Sequence, residues 1–350
     1  MPYRFKINEP VEKGFRRIAR EQLDVALAEL AATHIPPTGV HECRKALKRL
    51  RALVRLAASA LGRGDARRRT KALSEIARML SARRDQAVML ETVAKLAMET
   101  GTDGAFTLAP LRAHLVGKVG EEAKPLDIDC AAKARLLLLR EAKKFARTKF
   151  RSRGFAALDG GLEKSYGQAR RAMKNAYSEP SDESFHALRK AVQWHWRQMS
   201  LLARAWPDEF AVRVSAAREL SQMLGDDHDL AMLVAVAATA DDISYEHKDA
   251  IVALCQRRQQ ALRNAAEFRA ARLFAETPKA FTKRMATYWK YARVLDPRLE
   301  ALPIAHPALE KTQLVVEADG QPAVRDAKPA PTKPRLPAKA PVAATSQRRA

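Results

Sequence analysis

The chain has 350 residues, of which 47% are hydrophobic and 29% are charged, so it can bury a core as one large or two moderate domains and is not intrinsically disordered. Its formal net charge of +23 exceeds what solubility requires and predicts a polyanionic partner such as nucleic acid, polyphosphate or anionic lipid. Aromatic residues make up only 6% of the chain and runs of β-branched residues are rare, so the predicted fold class is all-α.

The cysteines and the hydropathy pattern exclude further classes. Cys43, Cys130 and Cys255 stand far apart without metal-ligand spacing, which is typical of reduced core cysteines in a cytoplasmic protein. No apolar run reaches the ~18 residues of a membrane span, and the N-terminal segment lacks the apolar stretch of an export signal. We therefore expect a cytoplasmic protein without a membrane span. No P-loop, dinucleotide fingerprint or nucleophilic triad occurs, so neither a cofactor nor a catalytic residue is predicted.

Amphipathic periodicity predicts helices along most of the chain, separated by turns at prolines and glycines. The predicted helices of the first half span 10–30, 40–57, 66–98, 107–119 and 130–150. Those of the second half span 160–175, 185–202, 223–234, 248–268 and 278–294. Residues 301–350 have no such periodicity, and from Gln321 they hold six prolines, seven Lys or Arg and one Asp, so we expect a disordered basic tail.

The helix predicted at 40–57 places a cationic stripe beside its buried face. At about 100° per residue, one stripe is apolar and consists of Cys43, Leu47, Leu50, Val54 and Ala57. The other, about 110° away, consists of His41, Arg44, Lys48, Arg51 and Arg55. Glu42 is the only carboxylate between His41 and Leu61, so the usual glutamate–lysine pairs of an exposed helix are missing. We interpret the cationic stripe as the wall of a groove between packed helices, with a solvated surface face as the alternative.

The same pattern recurs in the second half of the chain. When the two copies are aligned without gaps, His186 falls on His41 and Arg189 falls on Arg44. The next helix matches too, with MLSARRDQAVML (79–90) over MLGDDHDLAMLV (223–234). Two gapless matches in the same order indicate an internal duplication.

The second copy departs from the basic pattern in its later turns. Gln193, Trp194 and Trp196 stand where the first copy has a lysine and two arginines. We interpret both tryptophans as packing residues, and Arg197 lies off the cationic stripe by its phase. The first half is therefore expected to hold more of the charge.

These motifs resemble the CHAD family, the conserved histidine α-helical domain. The resemblance covers about residues 10–295. It rests on HECRKALKRLR (41–51), HALRKAVQWHW (186–196), the Arg84-Asp85 and His228-Asp229 steps, and RLFAETPKAFTKRMATYW (272–289). It implies two pseudo-symmetric antiparallel four-helix bundles with a basic groove between them. The implied domain spans about 10–300, with bundles at about 10–155 and 160–300.

The resemblance also implies a function, namely non-catalytic binding of inorganic polyphosphate in the groove, with targeting to polyphosphate granules. The implied polyphosphate-binding residues are His41, Arg44, Lys48, Arg51, His186, Arg189 and Lys190. Arginine forks and lysine charges suit phosphate, and a histidine near its ordinary pKa of about 6.5 would be charged by such a ligand. We therefore expect binding to strengthen as the pH falls through about 6.5.

Two other functions match parts of the sequence. The run Asp226-Asp227-His228-Asp229 resembles the metal cluster of a phosphohydrolase, although the first copy carries only Asp85 at the corresponding positions. The net charge and the basic tail also suit a nucleic-acid-binding helical protein, which normally shows stacking aromatics or a recognition helix. Asp85 and Asp229 are expected to orient a neighbouring arginine or histidine, with a plain helix salt bridge as the alternative.

Overall fold

A computed structural model of the protein describes residues 3–32, 35–80, 85–122 and 128–295. Within these ranges the chain forms eleven α-helices, two short 3-10 helices and no β-strand, which confirms the predicted all-α class. The helices are α1 (Val11–Glu29), α2 (Pro37–Leu56), α3 (Ala58–Leu61), α4 (Arg63–Met79), α5 (Asp85–Glu122), α6 (Ile128–Ala146), α7 (Asp159–Ser178), α8 (Asp182–Leu202), α9 (Pro207–Thr239), α10 (Tyr245–Leu273) and α11 (Pro278–Leu295). The predicted tail at 301–350 lies outside the described residues.

The region between residues 66 and 122 differs from the prediction. The single helix predicted at 66–98 is wrong, because α4 ends at Met79 and α5 begins at Asp85. The carbonyl oxygen of Leu80, just after α4, accepts a hydrogen bond of 3.3 Å from Nη1 of Arg44, which satisfies one of the carbonyls left unpaired at a helix end. The Arg84-Asp85 step lies outside the described residues, because residues 81–84 and the side chain of Asp85 are not described, so the expected role of Asp85 in orienting a neighbouring side chain stays a prediction.

Gly101 interrupts α5. Its φ of 69° and ψ of −158° are not helical, and glycine adopts such a positive φ without the steric cost that a Cβ atom would bring. The chain is helical on both sides of this residue, so the separate helix predicted at 107–119 is the second part of α5.

The motif His-x-x-Arg, written HxxR below, is formed by His41 and Arg44 on α2 and by His186 and Arg189 on α8. Both helices begin at well-defined start signals. Pro37 is the first residue of α2, a position where a helix does not need the backbone N–H that proline lacks. At the start of α8, the backbone N–H of Ser184 donates to Oγ of Ser181 and that of Ser181 donates to Oγ of Ser184, at 3.1 and 3.0 Å, which is a capping box. His41 and His186 each stand four residues after the first residue of their helix.

The helices pack in two closed sets of neighbours. In the first half, α1 contacts α2 and α6, and α4 contacts the same two helices. In the second half, α8 contacts α7 and α9, while α10 contacts α9 and α7. The helix α2 also contacts α7 and α8, so the helices with the HxxR motifs are direct neighbours.

The apolar stripes predicted for α2 and α8 are confirmed. On α2 they bury Cys43, Leu47, Leu50, Val54 and Ala57, and on α8 they bury Leu188, Val192, Met199 and Leu202, all at 0% exposure. These residues belong to one continuous core. A second, smaller core lies where α5 packs on the later part of α9 and the first part of α10. His195 is buried beside Tyr166 and Phe274, as its apolar phase predicts.

The start of α7 lies directly against the end of α2. A Cβ atom on Gly161 would stand 2.0 Å from the carbonyl oxygen of Leu56 and 2.6 Å from that of Arg55. Because these are backbone atoms, they cannot rotate away. Only glycine therefore allows this contact between the two halves of the chain.

We predict that Gly161→Ala lowers the free energy of unfolding by about 3 kcal/mol, the upper part of the range for overpacking in a core. Urea denaturation followed by circular dichroism measures this change. Gly64→Ala is the matched control, since the nearest atom to its new Cβ would be the guanidinium of Arg68 at 3.3 Å, which can move. Equal effects of the two substitutions would contradict the close helix contact.

Candidate anion-binding site

The helices α2 and α8 meet along a cavity of about 380 Å³, which we call the α2–α8 cavity. The described residues that line it are Arg44, Lys48, Arg51, Val88, His186, Arg189, Lys190, Gln193, Trp194, Arg197, His228 and Asp229. The structure thus brings together all but one of the predicted polyphosphate-binding residues. The exception, His41, stands one turn before Arg44 on α2 and is not among these lining residues.

On the α2 side, two arginines donate hydrogen bonds to uncharged groups. Nη1 of Arg51 donates to Oγ of Ser74 on α4 at 3.3 Å, and Arg44 donates to the carbonyl of Leu80. Arg51 makes no ion pair with a carboxylate of the described residues, and its buried Nε has no hydrogen-bond partner there. Burial lowers the pKa of Arg51, and the positive charge of Arg44 lowers it further. A bound anion would stabilise such a guanidinium.

On the α8 side, the central feature is a pair of histidines whose rings lie against each other at a tilt of 35°. The rings of His186 and His228 have centroids 4.4 Å apart, and Nδ1 of His186 and Nε of Arg189 are buried without hydrogen-bond partners among the described residues. Burial, followed by the nearby charges of His228, Lys190 and Arg189, lowers the pKa of His186 to about 4. Both imidazoles are therefore neutral near pH 7, since the pKa of His228 is lowered as well.

Two of the three residues by which the second copy departs from the basic pattern, Gln193 and Trp194, also line the cavity, whereas Trp196 is not among the lining residues. The guanidinium carbons of Arg51 and Arg55 lie 5.7 and 5.0 Å from the ring centroid of Trp194, so this tryptophan contacts α2 across the cavity. Arg197 lies off the cationic stripe of α8 by its position around the helix. It still lines the cavity, because an arginine side chain is long. The described lining thus contains three Lys or Arg from each helix, so the predicted excess of charge in the first half is not seen in this lining and stays a prediction for the groove as a whole.

The acidic run at 226–229 is divided among separate partners. Asp226 receives a hydrogen bond from Nζ of Lys95 at 2.6 Å, whereas the buried Asp227 receives one from Nε of Arg263 at 2.6 Å. Only Asp229 and its neighbour His228 line the cavity. Within the described residues, no group of three or more His, Cys, Asp or Glu side chains is placed to hold a metal ion.

A larger cavity of about 570 Å³ lies between α1 and α6. Its rim includes Arg16 and Arg17, but both form ion pairs with nearby glutamates. Buried Leu23 and Phe145 contribute to its apolar floor. Since two of its arginines already have counter-charges, the α2–α8 cavity is the better candidate for an anion site.

A family profile described as the CHAD domain matches residues 17–238. The chain belongs to the CHAD family. The matched range of this CHAD protein includes both HxxR helices and ends one residue before the end of α9. A comparison with curated proteins found no match. Among the described helices of the CHAD protein, none combines the length and apolar character needed to cross a membrane.

The environment of His186 yields a direct test of the cavity. We predict that its imidazole titrates near pH 4 in the free protein, which NMR of the ring protons would measure. His228→Gln removes one source of positive charge and should raise the pKa, while burial still keeps it below the ordinary value of about 6.5. A midpoint near 6.5 in the wild type would contradict the close contact of the two partly buried histidines.

This lowered pKa also shifts the pH range expected for anion binding. A bound anion raises the pKa of His186, so protonation strengthens binding below the pKa of the complex and the effect is complete below about pH 4. As the pH rises through the pKa of the complex, this contribution is lost. The strengthening expected at about 6.5 from an ordinary histidine is therefore displaced to lower pH.

Proposed function

We propose that this CHAD protein binds inorganic polyphosphate in the α2–α8 cavity without catalysing a reaction. The observation that carries the proposal is the convergence of cationic side chains from two helices on one cavity. Arg51 and Arg189 have buried Nε atoms without partners among the described residues. A buried charge without a counter-charge costs several kcal/mol, and a bound polyanion would offset that cost.

A linear polymer of phosphates suits this site better than a single compact anion. The cationic positions follow one another along α2, and from His41 to Arg51 the rise is about 15 Å at 1.5 Å per residue. That length matches several successive phosphates. Membership of the CHAD family supports the same ligand, because the resemblance of the HxxR motifs to that family implies polyphosphate binding.

We assign the ligand contacts to His41, Arg44, Lys48, Arg51, His186, Arg189 and Lys190. Arginines would donate forked hydrogen bonds to phosphate oxygens, and lysines would act as point charges. The histidines would bind as imidazolium once the ligand has raised their pKa. His41 would contact the polymer beyond the cavity, where the chain continues along α2.

The proposed architecture is two pseudo-symmetric four-helix bundles with this basic groove between them. The first would contain α1, α2, α4 and α6, and the second α7, α8, α9 and α10, at about residues 10–155 and 160–300. The closed contacts within each set and the equal offsets of His41 and His186 from their helix starts support it. We propose that the whole CHAD domain spans about 10–300.

Binding of polyphosphate would also determine where the protein accumulates. A protein with this cavity would collect on cytoplasmic polyphosphate granules. The basic residues at 301–350 would then add weak, non-specific attraction to the same polymer.

We predict that Arg44→Gln/Arg51→Gln/Arg189→Gln weakens binding of polyphosphate at least about 100-fold, because each lost charge-assisted contact costs about 1 kcal/mol or more. Calorimetry at two salt concentrations measures the effect on the full chain. The charge-matched control is Arg63→Gln/Arg67→Gln/Arg140→Gln, which removes three exposed arginines of the described surface. If both triple variants lose affinity equally, the polymer is attracted only by the overall positive charge of the protein, and the assignment to the cavity fails.

Nucleic-acid binding is the second candidate, because Trp194 stands beside the arginines of the cavity and aromatic rings can stack on bases. Its ring already contacts the guanidiniums of Arg51 and Arg55, which favours the polyphosphate assignment. We predict that polyphosphate displaces single-stranded RNA of equal charge, whereas that RNA does not displace polyphosphate at the same concentration. Fluorescence anisotropy of each labelled polymer measures this competition, and the reverse order would favour nucleic acid.

A further inference from the structure

Arg197 is the most deeply buried cation among the residues that line the α2–α8 cavity, and the first copy of the repeat has no cation at the corresponding position. It is 7% exposed, and it stands where the first copy has Ala52. We infer that Arg197 forms a deep anion subsite in this cavity, which binds one phosphoryl group of the polymer that the outer residues hold. The inference rests on the proposed function and adds a residue from outside the HxxR pattern.

The hydrogen bonding of Arg197 leaves capacity for a ligand. Nη1 donates to the carbonyl oxygen of Gln193 at 2.8 Å, while the buried Nε has no partner among the described residues. No carboxylate of those residues forms an ion pair with it. A guanidinium has five N–H donors, so a phosphate oxygen at the cavity floor would satisfy donors that the protein leaves unused.

The electrostatic surroundings of Arg197 are positive. Burial, the largest influence, together with Arg49, Arg51 and Arg218, lowers its pKa to about 10, with a nearby tyrosine as the only opposing influence. In the folded protein this cluster therefore accumulates like charge around a buried cation, which destabilises the fold unless an anion binds. A neutral side chain at this position would fill the same space without the cost of a buried charge.

The orientation of Arg197 is fixed by a neighbouring aromatic ring. Its guanidinium carbon lies 4.2 Å from the ring centroid of Trp196, and that of Arg218 lies 4.9 Å from the same ring. Trp196, interpreted from the sequence as a packing residue, thus packs against two arginines. Arg218 shares the stack but is not among the residues that line the cavity, so it provides a matched control for Arg197.

The test compares Arg197→Met with Arg218→Met in the full chain, using calorimetry with tripolyphosphate as the probe. We expect Arg197→Met to weaken binding about tenfold or more, equivalent to one charge-assisted contact, and Arg218→Met to change it less than about twofold. Arg197→Lys keeps the charge and should retain part of the lost affinity. In buffer without polyvalent anions, Arg197→Met should also melt at a higher temperature than the wild type, because a buried uncompensated charge has been removed.

Unchanged tripolyphosphate affinity in both Arg197→Met and Arg197→Lys would overturn the subsite while leaving the proposed function intact. Equal weakening by Arg197→Met and Arg218→Met would also overturn it, because only the total charge would then matter. If the wild type itself does not bind tripolyphosphate or longer polyphosphate, the proposed function fails instead.

Discussion

Positive charges that face one another across the seam between α2 and α8 are the constraint on which the proposed function depends. The apolar stripes of both helices are completely buried in one continuous core, and the cationic stripes lie beside them. Packing of the core therefore fixes the backbone positions from which the cationic side chains extend. Guanidinium nitrogens of Arg51, Arg189 and Arg197 remain buried without partners among the described residues, and under the proposed function a bound anion would offset the cost of these buried charges.

The helix starts, a close helix contact and two tryptophans around this seam also position the cationic side chains. Pro37 and the Ser181–Ser184 capping box start the two helices so that each histidine follows by four residues, and Gly161 lets α7 lie against the backbone at the end of α2. Contact with the rings of Trp194 and Trp196 orients four arginines without adding negative charge. Aromatic faces thus replace carboxylates as arginine partners, which preserves the positive potential of the cavity.

Much of the fold and most of the candidate site can be predicted from the sequence, because helical periodicity fixes which faces are buried. The stripe from Cys43 to Val54 and its cationic neighbours follow from that rule alone. The end of α4 at Met79 does not follow, since apolar spacing continues through residues 80–90. The place of Arg197 in the cavity lining and the contact between His186 and His228 could not be predicted, because side-chain reach and contacts between helices depend on tertiary packing, which a helical wheel does not contain.

The most direct measurement is a crystal structure of the full chain with tripolyphosphate. Phosphate oxygens within hydrogen-bond distance of Arg44, Arg51 and Arg189, between α2 and α8, are the predicted result. Electron density for the ligand on the rim of the cavity between α1 and α6, or only scattered over exposed lysines, would contradict the assignment of polyphosphate to the α2–α8 cavity.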